Sequence, residues 1–149
     1  MKMPVLKLFI LCSFFTISGC INSTTALRLN DIDLMKKRTL YLVELPQDKD
    51  NHKIIKANLE KRGFIVTSGL AMPVPYKQDI VVTYLDRWWW DITPYMIDLS
   101  IVFREPHDNF PIAGGSSFHT STSRLSPEDM VDEVLNNVFN SKPMSGAIL

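Results

Sequence analysis

The sequence predicts an α+β fold: a two-layer sandwich in which a mixed, mainly antiparallel sheet of about five strands carries two helices on one face. Three observations support this prediction. A strand, helix, strand pattern occupies residues 39–67, a buried-type strand at 79–86 precedes a long strand at 95–104 with period-two alternation, and an amphipathic helix follows Ser126.

The first unit begins with a strand at residues 39–44, which are rich in β-branched, aromatic and aliphatic side chains. Asp48 or Asp50 is placed to cap the next helix. Its apolar positions, which suit one buried face, are Ile54, Ile55, Ala57 and Leu59. Gly63 suits the left-handed residue that ends a helix, and residues 64–67 form a second strand.

Residues 79–86 (DIVVTYLD) read as a buried strand, and residues 95–104 as a long strand with one face on the core. The predicted core face of that strand carries Tyr95, Ile97, Leu99, Ile101 and Phe103. Residues 112–122 return as its hairpin partner. There Gly114-Gly115 predicts a bulge or the close approach of another element.

The C-terminal helix has clear start signals, with Ser126 as the cap, Pro127 at the first position and acidic residues in the first turn. Its apolar residues recur at helical spacing and predict a broad stripe against the sheet. They are Met130, Val131, Val134, Leu135, Val138 and Phe139.

The N-terminus has the layout of an export signal. Lys2 and Lys7 precede an apolar run at residues 8–17, and small residues follow. The run is shorter than the roughly 20 apolar residues that a membrane-spanning helix needs.

The stretch Ile17-Ser18-Gly19-Cys20 resembles the lipobox of bacterial lipoproteins. The resemblance implies cleavage between Gly19 and Cys20, a diacylglycerol on the Cys20 sulfur and acylation of the freed amine. The lipid bilayer is then a partner of the protein. Several acyl chains would anchor the protein in it, each buried methylene contributing about 0.8 kcal/mol. We expect no cofactor other than this covalent lipid. The alternative is a buried cysteine that follows a segment that does not act as a signal.

The same resemblance implies a location in the cell. Ile21 in place of aspartate implies the periplasmic face of the outer membrane, or the cell membrane if the host has only one. We therefore divide the chain into a signal peptide (1–19), a lipidated N-terminus and tether (20–35), one α+β domain (36–140) and a frayed tail (141–149).

Charge and cysteine content exclude several classes of protein. The 16 basic and 16 acidic side chains balance, and removal of the signal takes Lys2 and Lys7, which leaves a slightly acidic domain. A nucleic-acid partner would need a clustered positive excess, so we expect none. Cys12 leaves with the signal and Cys20 is the anchor, so no disulfide forms within one mature chain.

Six features together resemble a family of small bacterial lipoprotein domains that has no established activity. They are the lipobox at Cys20, the TLYLVELP strand, the KRGF helix end, the QDIVVTYLD strand, the MIDLSIVF strand and the SPEDMVDEVLNNVF helix. The match covers residues 36–140 and implies a fold and a location in the cell envelope.

Three consecutive tryptophans, Trp88-Trp89-Trp90, are the most unusual feature of the chain. They cannot all face the core of one strand, so at least one must point outward. Either they close the end of the core, or they bind a partner, a glycan or the membrane interface with Arg87 and Asp91 as polar handles.

Catalytic and metal sites have weak support, and we expect neither. The histidines are scattered and lack metal-ligand spacing: His52, His107 and His119. Three acids flank the tryptophans, at positions typical of solvated turns: Asp86, Asp91 and Asp98. Ser116 and Ser117 follow two glycines but lack the Gly-x-Ser-x-Gly elbow of hydrolases.

These patterns leave three functions open. The leading one is a noncatalytic interaction module, anchored in the membrane, that supports an envelope assembly or a partner protein. The second is a binding protein for an envelope glycan, lipid or peptide, which uses residues 87–91. The third is an enzyme acting on envelope polymers, which requires the acids and His119 to converge in one pocket.

Overall fold

The computed structural model of the chain describes residues 22–29, 33–47 and 49–142. These residues form six strands and two helices in chain order: β1 (Ser23–Arg28), β2 (Thr39–Val43), α1 (Asn51–Lys61), β3 (Ile65–Gly69), β4 (Ile80–Trp90), β5 (Pro94–Arg104), β6 (Pro111–Phe118) and α2 (Pro127–Asn140). Short 3-10 turns lie at Leu34–Lys36 and Ser121–Ser123.

The strands form one mixed sheet in the order β1-β6-β5-β4-β2-β3. β2 pairs in parallel with β3 and with β4, and every other pair is antiparallel. The predicted α+β class is therefore confirmed, with one strand more than expected.

A single core lies between the sheet and the two helices. Its fully buried side chains come from α1, α2 and alternate positions of the strands, so both helices cover the same face of the sheet. The largest include Phe103, Leu40, Leu42, Ile55, Leu59, Ile101, Met130 and Leu135. The apolar surfaces predicted for the helices thus meet in one layer, except that Ala57, assigned to the buried face of α1, is exposed and Ile54 is partly buried.

The additional strand is β1, and it lies in the segment that we expected to be a tether. β1 pairs with β6 from Ser23 opposite Phe118 to Arg28 opposite Ala113. The hydroxyls of Thr25 and Ser116 lie 2.7 Å apart across this pair. Only Ala26 of β1 packs against the core, so the segment has little of the apolar alternation by which strands are recognised.

The two glycines of β6 allow this pairing and the packing of α2. A Cβ atom on Gly115 would lie 2.8 Å from Val138 Cγ2 and 2.9 Å from the Thr25 carbonyl oxygen. The predicted close approach at the glycines is therefore present. The bulge of β6 lies two residues earlier, because Phe103 pairs with Ala113 but Arg104 pairs with Pro111, which leaves Ile112 as the extra residue.

A second bulge corrects the predicted core face of β5. Arg87 pairs with Asp98 but Trp88 pairs with Met96, so Ile97 is the extra residue and the alternation changes there. Leu99, Ile101 and Phe103 face the core as predicted, whereas Met96 takes the position that we assigned to Tyr95 and Ile97.

The helix ends match the sequence signals in part. Ser126 Oγ accepts a hydrogen bond from the Asp129 backbone N–H at 3.1 Å, and Gly63 has a φ of +92°, as predicted for the two positions. Asp50 precedes α1, but its side chain makes no capping hydrogen bond and instead pairs with Lys53 at 2.8 Å.

Asp79 joins the starts of β2 and β4. Its Oδ2 accepts hydrogen bonds from the backbone N–H of Thr39 (2.9 Å), the Thr39 hydroxyl (2.8 Å) and the backbone N–H of Arg38 (3.0 Å). These hydrogen bonds hold the pKa of Asp79 below its usual value because they favour the carboxylate. The bond from the Thr39 backbone N–H makes the largest contribution.

We predict that Asp79→Asn lowers the free energy of unfolding by about 2 kcal/mol at pH 7, because a neutral amide oxygen accepts these bonds less strongly. A lowered pKa stabilises the fold above the unfolded-state value of about 4, and this stabilisation is lost as the pH falls through the folded-state pKa. The difference from wild type should therefore shrink below about pH 4 in urea unfolding.

Glu60→Gln is the matched control, since Glu60 is exposed on α1. It should change the free energy of unfolding by less than about 0.5 kcal/mol. A difference for Asp79→Asn that stays constant from pH 7 to pH 3 would contradict the role of the Asp79 charge.

Candidate functional site

The tryptophan triplet lies at the end of the longest hairpin. β4 continues past Asp86, where we expected it to stop, and includes all three tryptophans. Trp88 is half-buried against the core, whereas Trp89 is 60% exposed and Trp90 is 67% exposed. The triplet thus divides between the two roles that the sequence left open: one ring closes the core, and two point outward.

Polar contacts on both sides hold Trp88. Its indole Nε1 donates a hydrogen bond to Asp86 Oδ2 at 2.5 Å, and the Asn51 side chain donates to the same oxygen at 2.8 Å. The Lys49 ammonium lies 4.2 Å from the ring centroid, within the range of a cation–π interaction. Asp86, a possible catalytic acid by sequence, therefore positions an aromatic ring.

The turn between β4 and β5 adds a third exposed apolar side chain, because Ile92 is 87% exposed. We call Trp89, Trp90 and Ile92 together the hairpin tip. Three large apolar side chains that protrude from one turn are unusual for a surface, where such residues are normally scattered singly.

Arg124 braces this turn from the segment that leads into α2. Its guanidinium pairs with the Asp91 carboxylate, donates to the Thr93 hydroxyl at 3.1 Å and lies 4.1 Å from the centroid of the Tyr95 ring. The Arg124 guanidinium, helped by the Ile92 backbone N–H, holds the pKa of Asp91 below its usual value. The turn is therefore fixed, and the charge of Asp91 is paired.

Arg87, the other predicted polar handle, does not face the turn. Its side chain pairs with Asp98 at 3.1 Å across β4 and β5 and is 62% exposed.

A shallow cavity of about 470 Å³ lies at the hairpin, bordered by Lys49, Trp88, Trp89, Trp90 and Pro94. Lys49 and Arg124 are thus the cations of this site, and sequence reasoning missed both because their partners are distant in the chain.

The possible catalytic acids do not converge. Asp86 contacts Asn51 and Trp88, Asp91 contacts Arg124, and Asp98 contacts Arg87. Within residues 22–29, 33–47 and 49–142, no group of three or more His, Cys, Asp or Glu side chains is placed to hold a metal ion.

His119 belongs to a different cluster, which ties β6 to α2. Glu133 Oε2 accepts a hydrogen bond from Ser117 Oγ at 2.5 Å and lies 2.8 Å from His119 Nε2. His119 and Ser117 are buried, and His119 Nδ1 has no hydrogen-bond partner among the described residues. The cluster joins the sheet to α2, and no side chain of the hairpin tip takes part in it.

The lipidation residues Gly19 and Cys20 lie outside the described residues. The chain is described from Asn22, whose Oδ1 accepts a hydrogen bond from Ser123 Oγ at 2.5 Å. Ser123 directly precedes Arg124, so the first described residue lies at the same end of the domain as the braced turn. No described helix is long and apolar enough to cross a membrane.

Comparison with known proteins shows a shared fold. No protein-family model matches the sequence, and no curated protein matches it. The PelC dodecamer from Paraburkholderia phytofirmans aligns over 81% of this chain and 100% of that chain, with a TM-score of 0.57 and 10% identity. A single-substitution form of the same dodecamer aligns over 79% and 94%, with a TM-score of 0.53 and 10% identity.

A minor lipoprotein from Acinetobacter baumannii is a more distant neighbour, with a TM-score of 0.36 and 13% identity over 66% of this chain and 89% of that chain. The PelC likeness, at 10% identity, shows the architecture alone.

We predict that substitutions within the tryptophan triplet change the free energy of unfolding by different amounts. Trp88→Ala should lower the free energy of unfolding by about 2 kcal/mol, because it removes a ring packed on the core and the partner of Asp86. Trp89→Ala should change it by less than about 0.5 kcal/mol, because that ring is exposed. Urea unfolding of both variants tests this, and equal losses would contradict the division of roles.

Proposed function

We propose that this chain is a membrane-anchored bacterial lipoprotein that acts without catalysis, as an interaction module of an envelope assembly. The lipobox-like stretch that ends at Cys20 supports the anchor. The outer membrane, on its periplasmic face, is the proposed location, and the cell membrane takes its place in a host with one membrane.

One structural observation carries the proposal: β1 begins three residues after Cys20 and is a full member of the sheet. A domain joined to its lipid in this way has little freedom to swing, because two or three residues reach only about 10 Å. A fixed orientation at the membrane suits a structural element of an assembly better than it suits a freely diffusing enzyme.

Two further observations support a noncatalytic role in an assembly. The possible catalytic aspartates each contact a different partner. The PelC proteins that share this fold form dodecamers, so further copies of this chain are one class of partner that we propose.

The anchor and the assembly are tested together in cells. We expect wild type to incorporate labelled palmitate and to remain with membranes, and Cys20→Ala to lose both properties. Crosslinking followed by mass spectrometry should then join the wild-type chain to further copies or to an envelope protein. Palmitate on Cys20→Ala would overturn the anchor, and a partnerless monomer would overturn the assembly.

The second candidate is an envelope-ligand protein that binds a glycan, lipid or peptide at the hairpin. The observation that favours it is the cavity bordered by Lys49, the three tryptophans and Pro94, since aromatic faces beside a cation are common in binding sites. Tryptophan emission that changes with none of the purified envelope fractions would exclude it.

A further inference from the structure

The strand pairing places the start of β1 at the same end of the sheet as the hairpin tip. β1 and β5 are each antiparallel to β6, so they run in the same direction. β5 starts at Pro94, immediately after the turn that carries Ile92, and the start of β1 therefore points toward the same end of the sheet. The bond between Asn22 and Ser123, next to Arg124, confirms this placement.

The distance from the lipid to the hairpin tip is correspondingly short. Cys20 precedes Asn22 by two residues, which span at most about 7 Å. β1 and β4 are three strands apart in the sheet, which corresponds to about 14 Å. The register places Ser23 level with Arg87, so Trp90 lies about 10 Å farther along, toward the end of the sheet from which the chain enters β1. A bilayer that holds the acyl chains of Cys20 thus lies within reach of Trp89 and Trp90.

The chemistry of the hairpin tip fits a lipid interface. Trp89 and Trp90 are neighbours on a strand, so they project toward opposite sides of the hairpin, and Ile92 protrudes between β4 and β5. A protein or glycan that docks on one side would leave the other ring in water. The boundary between headgroups and acyl chains surrounds both, and tryptophan is enriched at that depth.

The charges around the hairpin tip agree with this partner. The Asp91 carboxylate is paired with Arg124, so no uncompensated negative charge of the turn faces the lipid phosphates. Lys49 is exposed beside Trp88, where its ammonium can contact a phosphate. Basic side chains near an anionic membrane surface strengthen its attraction for the protein.

We propose that the hairpin tip inserts into the interface of the same bilayer that holds the lipid of Cys20, as a second point of attachment that orients the sheet relative to the membrane. This inference rests on the proposed function for the lipid anchor. It assigns phospholipid, among the ligands of the second candidate, to the Trp89 and Trp90 rings.

The test uses vesicles of phosphatidylethanolamine and phosphatidylglycerol with brominated acyl chains, which quench tryptophan only within the bilayer. We expect the mature Cys20→Ala chain to show quenched, blue-shifted emission. The double variant Trp89→Ala/Trp90→Ala on that background should partition at least tenfold more weakly, because it removes two large apolar rings that leave water on insertion.

Leu85→Ala is the matched control, because Leu85 is 68% exposed on β4 but lies outside the hairpin tip. It should partition as the parent chain does. Emission that responds to soluble peptidoglycan fragments and not to vesicles would overturn the lipid assignment, as would equal partitioning of the double variant and the parent.

The lipidated protein, reconstituted in the same vesicles, separates this inference from the anchor. If the lipidated protein stays bound to the vesicles but its tryptophan emission is not quenched, the inserted tip is overturned and the anchor is left intact. Quenching of the Cys20→Ala chain, together with a wild type that takes up no palmitate, would support the inserted tip and overturn the anchor.

Discussion

The pairing of β1 with β6 is the constraint on which the arrangement of this domain depends. It fixes the direction in which the chain enters the sheet, and it places residue 22 at the end that carries the hairpin tip. The pairing requires small residues on β6, because Gly115 lies under Val138 of α2 and beside the Thr25 carbonyl. A side chain there would separate β1, β6 and α2 from one another.

Arg124 provides the second constraint, and it acts at the same end of the sheet, on the turn between the central strands β4 and β5. One guanidinium contacts the Asp91 carboxylate, the Thr93 hydroxyl and the Tyr95 ring, so the turn is held by several bonds at once. Trp88, bound to Asp86, closes the core just behind it. The two outer tryptophans therefore stand on a fixed support, which would lower the entropy lost in the membrane contact that we propose.

Much of the fold could be predicted because its signals are local. Ser126 and Pro127 mark the start of α2, Gly63 marks the end of α1, and alternation marks β5. β1 could not be predicted in this way, since a strand with only Ala26 on the core has too weak a pattern. The change of face at Ile97 depends on register with β4, which only the assembled sheet defines.

The candidate site shows the same limit. The triplet itself was evident from the sequence, and so was the need for at least one ring to face outward. The contacts that hold Trp88 inward come from Asp86, which Asn51 also contacts, and from Lys49. Asn51 and Lys49 are 37 and 39 residues from Trp88 in the chain. Glu133 was overlooked for the same reason, because its partners Ser117 and His119 lie on another element.

The most direct test of this account is the distance between the start of β1 and the turn of the hairpin. Spin labels on Ser23→Cys and Ile92→Cys, in the mature Cys20→Ala chain, report it by pulsed electron resonance. Strand spacing and rise predict one narrow distribution centred at roughly 20–25 Å plus the label linkers. A broad distribution, typical of a flexible tether ahead of the domain, would contradict it.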